Sequence, residues 1–226
     1  HMRDLLPVSA ENVIGEPEGR NTTPCVASAT ALVARRNSEA TMVLLPADHV
    51  IRPAKIFQDT LLAAVRIAQT GTLVTFGIPP TRPATGYGYI YAGEPVADGF
   101  RKILAFKEKT DVETAEGFSR DGNFKWNNGM FIWRVDTIAE AFRRYAPSLS
   151  AKLEDWQNGG DYRRNFAECE KFPSTMPSWK KRTMWWSEKP LFTGTTSAAG
   201  ALFAPYCRWT NPATRFGAMC WPWIRS

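Results

Sequence analysis

Two kinds of apolar spacing alternate along the first half of the chain. Met42, Val43, Leu44 and Leu45 form an unbroken apolar run that stops at Pro46. A run this short predicts a strand buried on both faces, as in a parallel sheet. Pro46 has no N–H to give to a ladder, so the strand ends there. Over 53–69 the spacing changes. Ile56, Phe57, Thr60, Leu61, Ala64 and Val65 fall three and four apart, which predicts a helix with one buried face. Residues 73–78 predict the next strand. Upstream, 24–35 reads as a helix of small residues, with Thr23 as its N-cap and Pro24 in its first position. A short strand is expected at 12–15. Strand, helix, strand, helix, strand implies an α/β fold with right-handed crossovers and a mostly parallel sheet.

Further on, strands are expected at 89–92 and 103–107. Thr110 to Glu113 has the spacing of a capping box and predicts a helix to about 118. Residues 124–133 read as a strand interrupted at Asn127-Asn128-Gly129. Asp136 then caps a helix to about 145, and helical spacing continues over 147–156 and 161–171.

Composition divides the chain. Its 226 residues carry a net charge of +6. From residue 174 onward there are seven basic residues (Lys180, Lys181, Arg182, Lys189, Arg208, Arg215 and Arg225) against Glu188 alone, so this tail supplies the whole excess. Six of the nine tryptophans lie there too, whereas residues 1–173 are charge-balanced like an ordinary enzyme domain. The four cysteines show no paired metal-type spacing, so reduced thiols and a cytoplasmic setting are the expectation. No apolar run is long enough to span a bilayer, and no charged-then-apolar leader opens the sequence.

Candidate chemistry sits at the ends of these strands. Asp48 follows the strand at 42–45, at the edge where open α/β sheets bind ligands. It suits a hard cation held against phosphate, and equally the N-cap of the next helix. Arg20, Asn21, Thr22 and Thr23 precede a helix N-terminus, which can receive an anion or a nucleobase edge or be only a well-capped loop. Around Gly86-Tyr87-Gly88, prolines stiffen the chain and glycines let backbone approach a ligand. Glu108 and Lys109 could take sugar hydroxyls and a phosphate, or be solvated strand ends. Asn127 and Asn128 could read hydroxyls with Gly129 giving access, or mark a bulge.

In order and spacing, Leu45-Pro46-Ala47-Asp48-His49, Phe76-Gly77-Ile78, Thr81-Arg82-Pro83, Thr85-Gly86-Tyr87-Gly88-Tyr89-Ile90, Glu108-Lys109 and Trp126-Asn127-Asn128-Gly129-Met130-Phe131 resemble one family. It is that of the mannose-1-phosphate guanylyltransferases, which make GDP-mannose from GTP and mannose 1-phosphate. Glu16-Pro17 followed by Arg20-Asn21-Thr22 and Pro24 fits it as well. The resemblance covers about residues 4–174. It departs at Thr110, where the family has Pro, and at Asn128, where it has Ser.

The resemblance implies a Rossmann-like nucleotide-diphospho-sugar transferase fold over 1–173. It implies Mg²⁺ on Asp48, guanine near Asn21 and Thr22, and the sugar against Gly86, Tyr87 and Gly88. Glu108 and Asn127 would bind mannose hydroxyls, and Lys109 the sugar phosphate; His49 is read as structural. Two parts of the family pattern have no counterpart: the Gly-rich phosphate loop that opens the domain, and a late Trp-Asp-Val-Gly-Ser-Trp-like segment with a second metal carboxylate. Shifted by one base, a back-translation of 192–200 can give that segment. Residues 174–226 are therefore expected to be an out-of-frame, irregular tail, and the truncated chain to be impaired as an enzyme. The alternatives are a non-catalytic sugar-nucleotide-binding remnant, a nucleotidyltransferase for another sugar phosphate, and nucleic-acid binding through the basic, Trp-rich tail. Of these partners, nucleic acid and membrane are not expected, and a homo-oligomer is left open.

Overall fold

The computed structural model describes residues 8–20, 22–46, 49, 51–97, 99–169, 184–187 and 218–221. A 3₁₀ turn covers Ala10–Asn12, and residues 13–15, expected to continue a strand from 12, form neither helix nor strand. The helices are α1 (Thr22–Arg36), α2 (Ala54–Ala68), α3 (Val112–Asp121), α4 (Val135–Tyr145), α5 (Pro147–Gln157) and α6 (Tyr162–Ala167). The strands are β1 (Thr41–Pro46), β2 (Leu73–Ile78), β3 (Gly88–Ala97), β4 (Phe100–Lys107), β5 (Phe124–Arg134), β6 (Met184–Ser187) and β7 (Ala218–Trp221).

Local signals explain most of these elements, with adjustments. Pro46 closes β1 and Pro53 precedes α2. α1 begins at Thr22, so Thr23 lies inside the helix and is not its cap. The cap of α3 is Asp111, one residue past the expected Thr110; its carboxylate accepts the Thr114 N–H at 2.8 Å. A carboxylate with charge to offer the helix dipole outcompetes a hydroxyl for the first free N–H groups. Asp136 lies in the first turn of α4 and does not cap it; Arg134 holds the cap position. Asp161 caps α6 through the Arg164 N–H at 3.1 Å.

The expected mostly parallel sheet is not what forms. β5 runs antiparallel to β1, β2 and β3; β4 runs antiparallel to β3 and β6; only β1–β7 and β2–β6 are parallel among the described pairings. The crossover through α2 does leave β1 and β2 pointing the same way. The long β5 then returns between them, and each pairs with it instead of with the other. Two stretches of the tail expected to be irregular are strands. β6 pairs alongside β2 and β4, and β7 alongside β1. Unpaired sheet edges recruit any chain with free N–H and C=O groups.

Helices cover both faces. α1, α4, α5 and α6 pack on one face around Trp133, Phe131, Phe142, Leu149 and Phe166. α2 packs on the opposite face against Val74, Phe76, Met130 and Ile132. α3 shares that second face farther along, over Tyr89, Phe124 and Trp126. Burying large side chains on both sides of the central strands is what stabilises the sheet, at about 1.5–3 kcal/mol for each fully buried one.

Candidate functional site

β5 places the centre of the site. Phe131 lies opposite Thr75 of β2, and Asn127 lies opposite Gly77. Four residues of β5 therefore span what two residues of β2 span, and the excess forms a bulge at Asn128-Gly129-Met130. Three hydrogen bonds fix it. Asn127 Oδ1 accepts the Gly129 N–H (3.3 Å), Asn128 Oδ1 accepts the Met130 N–H (3.1 Å), and the buried Thr75 hydroxyl donates to the Met130 carbonyl (2.7 Å). Gly129 has φ 75°, a left-handed conformation that side chains resist. The expected interruption of the strand is thus this bulge.

On its other side Asn127 lies opposite Gly88 of β3. Residues directly opposite in a ladder share a face, so the Asn127 side chain has a glycine on each flank. A methyl placed on Gly88 would stand 4.0 Å from the Asn127 Cβ and 3.1 Å from the Lys107 carbonyl oxygen. The result is a notch in the face that carries α1, α4 and α5, with Asn127 half-buried as its floor.

The ends of neighbouring elements converge on this notch. A methyl on Gly129 would lie 3.5 Å from Pro46 Cγ, so the last residue of β1 abuts the bulge. β4 ends at Lys107, against Gly88, and the exposed Glu108 and Lys109 follow directly. α1 and β1 run in opposite directions through a short turn. At about 1.5 Å per helical residue and about 3.3 Å per strand residue their lengths match, which brings Thr22 back to the Pro46 end. Asn21 and Asp48 themselves lie outside the described residues; the elements that lead to them do not.

Tyr87 is placed differently from its neighbours. Its ring packs at a tilt against Trp126 (centroids 5.2 Å apart) on the α3 side of the sheet, so at 86–88 it is backbone that borders the notch. The Arg82 guanidinium covers the same Trp126 ring at 5.9 Å. The Tyr89 hydroxyl holds the loop by donating to the Ala84 carbonyl at 2.9 Å. Sequence reasoning gave Trp126 and Gly77 no role. Both lie inside the motifs that carry the family resemblance, but what each contributes depends on a cross-strand neighbour.

The loop before α1 is pinned from behind. Arg20 binds Glu18 (2.7 Å) and the Ala167 carbonyl at the end of α6 (2.6 Å). Burial pushes the Glu16 carboxyl above its usual range, although the Arg20 N–H and the Cys25 thiol donate to it. Burial, and then Glu16 itself, push the Cys25 thiol far up, so this cysteine is inert. Tyr162, packed against the same cluster, is pushed up to about 12. His49 is half-buried. No group of three metal-type side chains lies among the described residues, and none of their helices is long and apolar enough to cross a membrane.

Comparison with known proteins agrees with this architecture. The Nucleotidyl transferase family model matches residues 3–171. A xanthan biosynthesis protein, XanB, of Xanthomonas campestris pv. campestris is 39% identical over 166 residues, covering 74% of this chain and 35% of its own length. A mannose-1-phosphate guanylyltransferase of Escherichia coli K12 is 40% identical over 168 residues, 71% of this chain and 35% of its own length. The chain thus spans about a third of these relatives. A solved structure named as a mannose-1-phosphate geranyltransferase, from Thermus thermophilus, superposes with a TM-score of 0.72 at 30% identity. That match covers 78% of this chain and 52% of the other. With the family model matched over most of its length, this chain belongs to the nucleotidyl transferase family.

Proposed function

We propose that the chain carries the sugar-phosphate half of a mannose-1-phosphate guanylyltransferase site, for transfer of GMP from GTP to mannose 1-phosphate with release of pyrophosphate. The observation that supports this most is the notch at Asn127, where the ends of β1, β4 and α1 meet. The names borne by the relatives from E. coli and other bacteria supply the sugar and the nucleotide.

In this reading the hexose lies against the backbone of Gly86, Tyr87 and Gly88. Asn127 donates to one ring hydroxyl, and the Glu108 carboxylate accepts from others; charged acceptors make the stronger bonds. The Lys109 ammonium meets the sugar phosphate as a point charge. Guanine lies by Asn21 and Thr22, before the α1 N-terminus. One oxygen of the sugar phosphate attacks the α-phosphorus of GTP in line. That P–O bond forms as the bond to the pyrophosphate oxygen breaks, and the electron pair leaves with pyrophosphate. The attacking oxygen is already anionic, so no general base is needed, and positioning with charge neutralisation carries the reaction.

A lone carboxylate just past a strand end, completed by water and substrate phosphates, is the donor set Mg²⁺ prefers. Asp48, two residues beyond Pro46, would hold it. When bound, the ion would neutralise triphosphate charge.

Calorimetric titration of the purified chain with GDP-mannose in Mg²⁺ tests the proposal. One saturable site is expected, with mannose 1-phosphate competing. Asn127→Ala and Glu108→Gln should each weaken binding about tenfold or more, the cost of losing one or two hydrogen bonds to a sugar. No binding, or binding indifferent to both substitutions, overturns it. Stronger competition by another hexose 1-phosphate would keep the chemistry and change the sugar.

A further inference from the structure

Residues 13–20 form neither helix nor strand, and no backbone hydrogen bond joins them to another described residue. Side-chain hydrogen bonds set the course of this loop instead. Where it begins, Arg36 donates to the Asn12 side chain at 3.0 Å. Where it ends, directly before Asn21 and Thr22, stands Arg20. The Arg20 guanidinium donates to the Ala167 carbonyl at 2.6 Å, across 147 residues of sequence, and to Glu18 at 2.7 Å. Its backbone N–H donates to the Glu16 carboxylate, which closes the loop on itself.

The far end of this clamp is well suited to a cation. Ala167 ends α6, and the last carbonyls of a helix lack intrahelical partners and carry partial negative charge. α6 is itself held in place. Phe166 is fully buried, and Tyr162 and Phe166 pack against Trp156 of α5 with ring centroids 5.7 and 6.2 Å away. The Arg20 side chain is only 13% exposed, and its buried Nε has no hydrogen-bond partner among the described residues. Taking a guanidinium out of water in this way is costly. Pairing with Glu18 does not require it, because that carboxylate is itself 46% exposed. What the burial secures is the bond to α6.

We propose that Arg20 is the positioning residue of the nucleotide side: it clamps the loop to the C-terminal end of α6 and so holds Asn21 and Thr22 where they read guanine. This rests on the functional reading above and deepens it. Arg20 acts through the loop and touches no ligand. The sugar side is carried by β3, β4 and β5, to which the clamp makes no bond, so losing the clamp separates the two halves of the ligand.

The test is calorimetry on the full chain in Mg²⁺ with GDP-mannose, ADP-mannose and mannose 1-phosphate, for the parent, Arg20→Ala and Arg20→Lys. Arg20→Ala should weaken GDP-mannose about tenfold, and the preference for GDP-mannose over ADP-mannose should shrink by a similar factor. Mannose 1-phosphate should stay within about twofold of the parent. Arg20→Lys keeps one charged donor for the carbonyl and should recover part of the loss. Lys152→Ala serves as control: it removes a 2.9 Å pair with Glu168 beside the same helix end without touching the loop, and should change none of the three affinities. An Arg20→Ala chain that binds GDP-mannose like the parent overturns the inference and leaves the functional reading standing. Equal loss of GDP-mannose and mannose 1-phosphate overturns it too, as does a parent indifferent to the base. If neither Arg20 variant folds, Arg20 serves the fold alone and the inference falls. A parent that binds none of the three ligands removes the functional reading itself.

Discussion

The two halves of β5 face the same strand, β2, and are built for opposite ends. From Phe131 to Trp133 every side chain is buried, and the neighbours across the ladder are Leu44, Val43, Met42, Thr75 and Val74. From Trp126 to Gly129 the strand bulges, its backbone turns left-handed, and glycines replace side chains on both flanks of Asn127. The candidate site lies where the strands beside β5 carry glycine instead of larger side chains. The first half holds the protein together, and the second half gives up some of that stability for access.

Substitutions should separate the halves. Trp133→Ala removes a fully buried side chain and should cost about 3–5 kcal/mol in denaturant unfolding. Asn127→Ala in the other half should cost under about 1 kcal/mol, since the one side-chain hydrogen bond it makes among the described residues, to Gly129, is long. Equal losses would erase the distinction between core and site. Thr75→Val tests the joint between them. It deletes the 2.7 Å bond that ties β2 to the bulge and leaves the Met130 carbonyl short of a partner, for about 1–3 kcal/mol. It should also weaken GDP-mannose binding; a change in stability alone would mean that the bulge shape does not matter to the ligand. Gly129→Ala should cost about 1–2 kcal/mol through its positive φ. Crowding adds little there, because the new methyl would make an ordinary 3.5 Å contact with Pro46.

The smallest effect concerns the loop before α1. The Glu16 carboxyl titrates higher in the folded protein than in the unfolded chain. Its contribution to stability is thus present in full below about pH 4.5 and is lost as pH rises through the raised value. Glu16→Gln should remove that decline, so the variant's Tm relative to the parent should rise from about pH 4 to about pH 7. A parallel pH profile in the two proteins would show that burial does not burden this carboxyl.

Much of the architecture could be read from local pattern. The strand at 73–78, the apolar face of α2, and helices at 147 and 161 follow from spacing and caps that involve only near neighbours in sequence. What could not be read is pairing. The crossover rule gives β1 and β2 a common direction, yet says nothing of a later strand returning between them, and that insertion makes the sheet largely antiparallel. The site divides in the same way. Asn127, Gly86, Gly88, Glu108 and Lys109 stand out through the motif resemblance. Gly77 and Trp126 belong to the same motifs, yet their cross-strand neighbours follow only from register, which depends on contacts about fifty residues apart in the sequence. The 3₁₀ turn at Ala10–Asn12 and the strand pairing of β6 and β7 were equally illegible, since weak local preferences yield to whichever partner is near.

The most direct test of the central claim is a ¹⁵N–¹H titration of the chain with GDP-mannose in Mg²⁺, read at the glycine amides. The account predicts that Gly77, Gly88 and Gly129 shift together in a saturable way while Gly71, Gly122 and Gly159, at turns outside the notch, stay in place. Shifts confined to those distant turns, or saturation without movement at the three notch glycines, would contradict it.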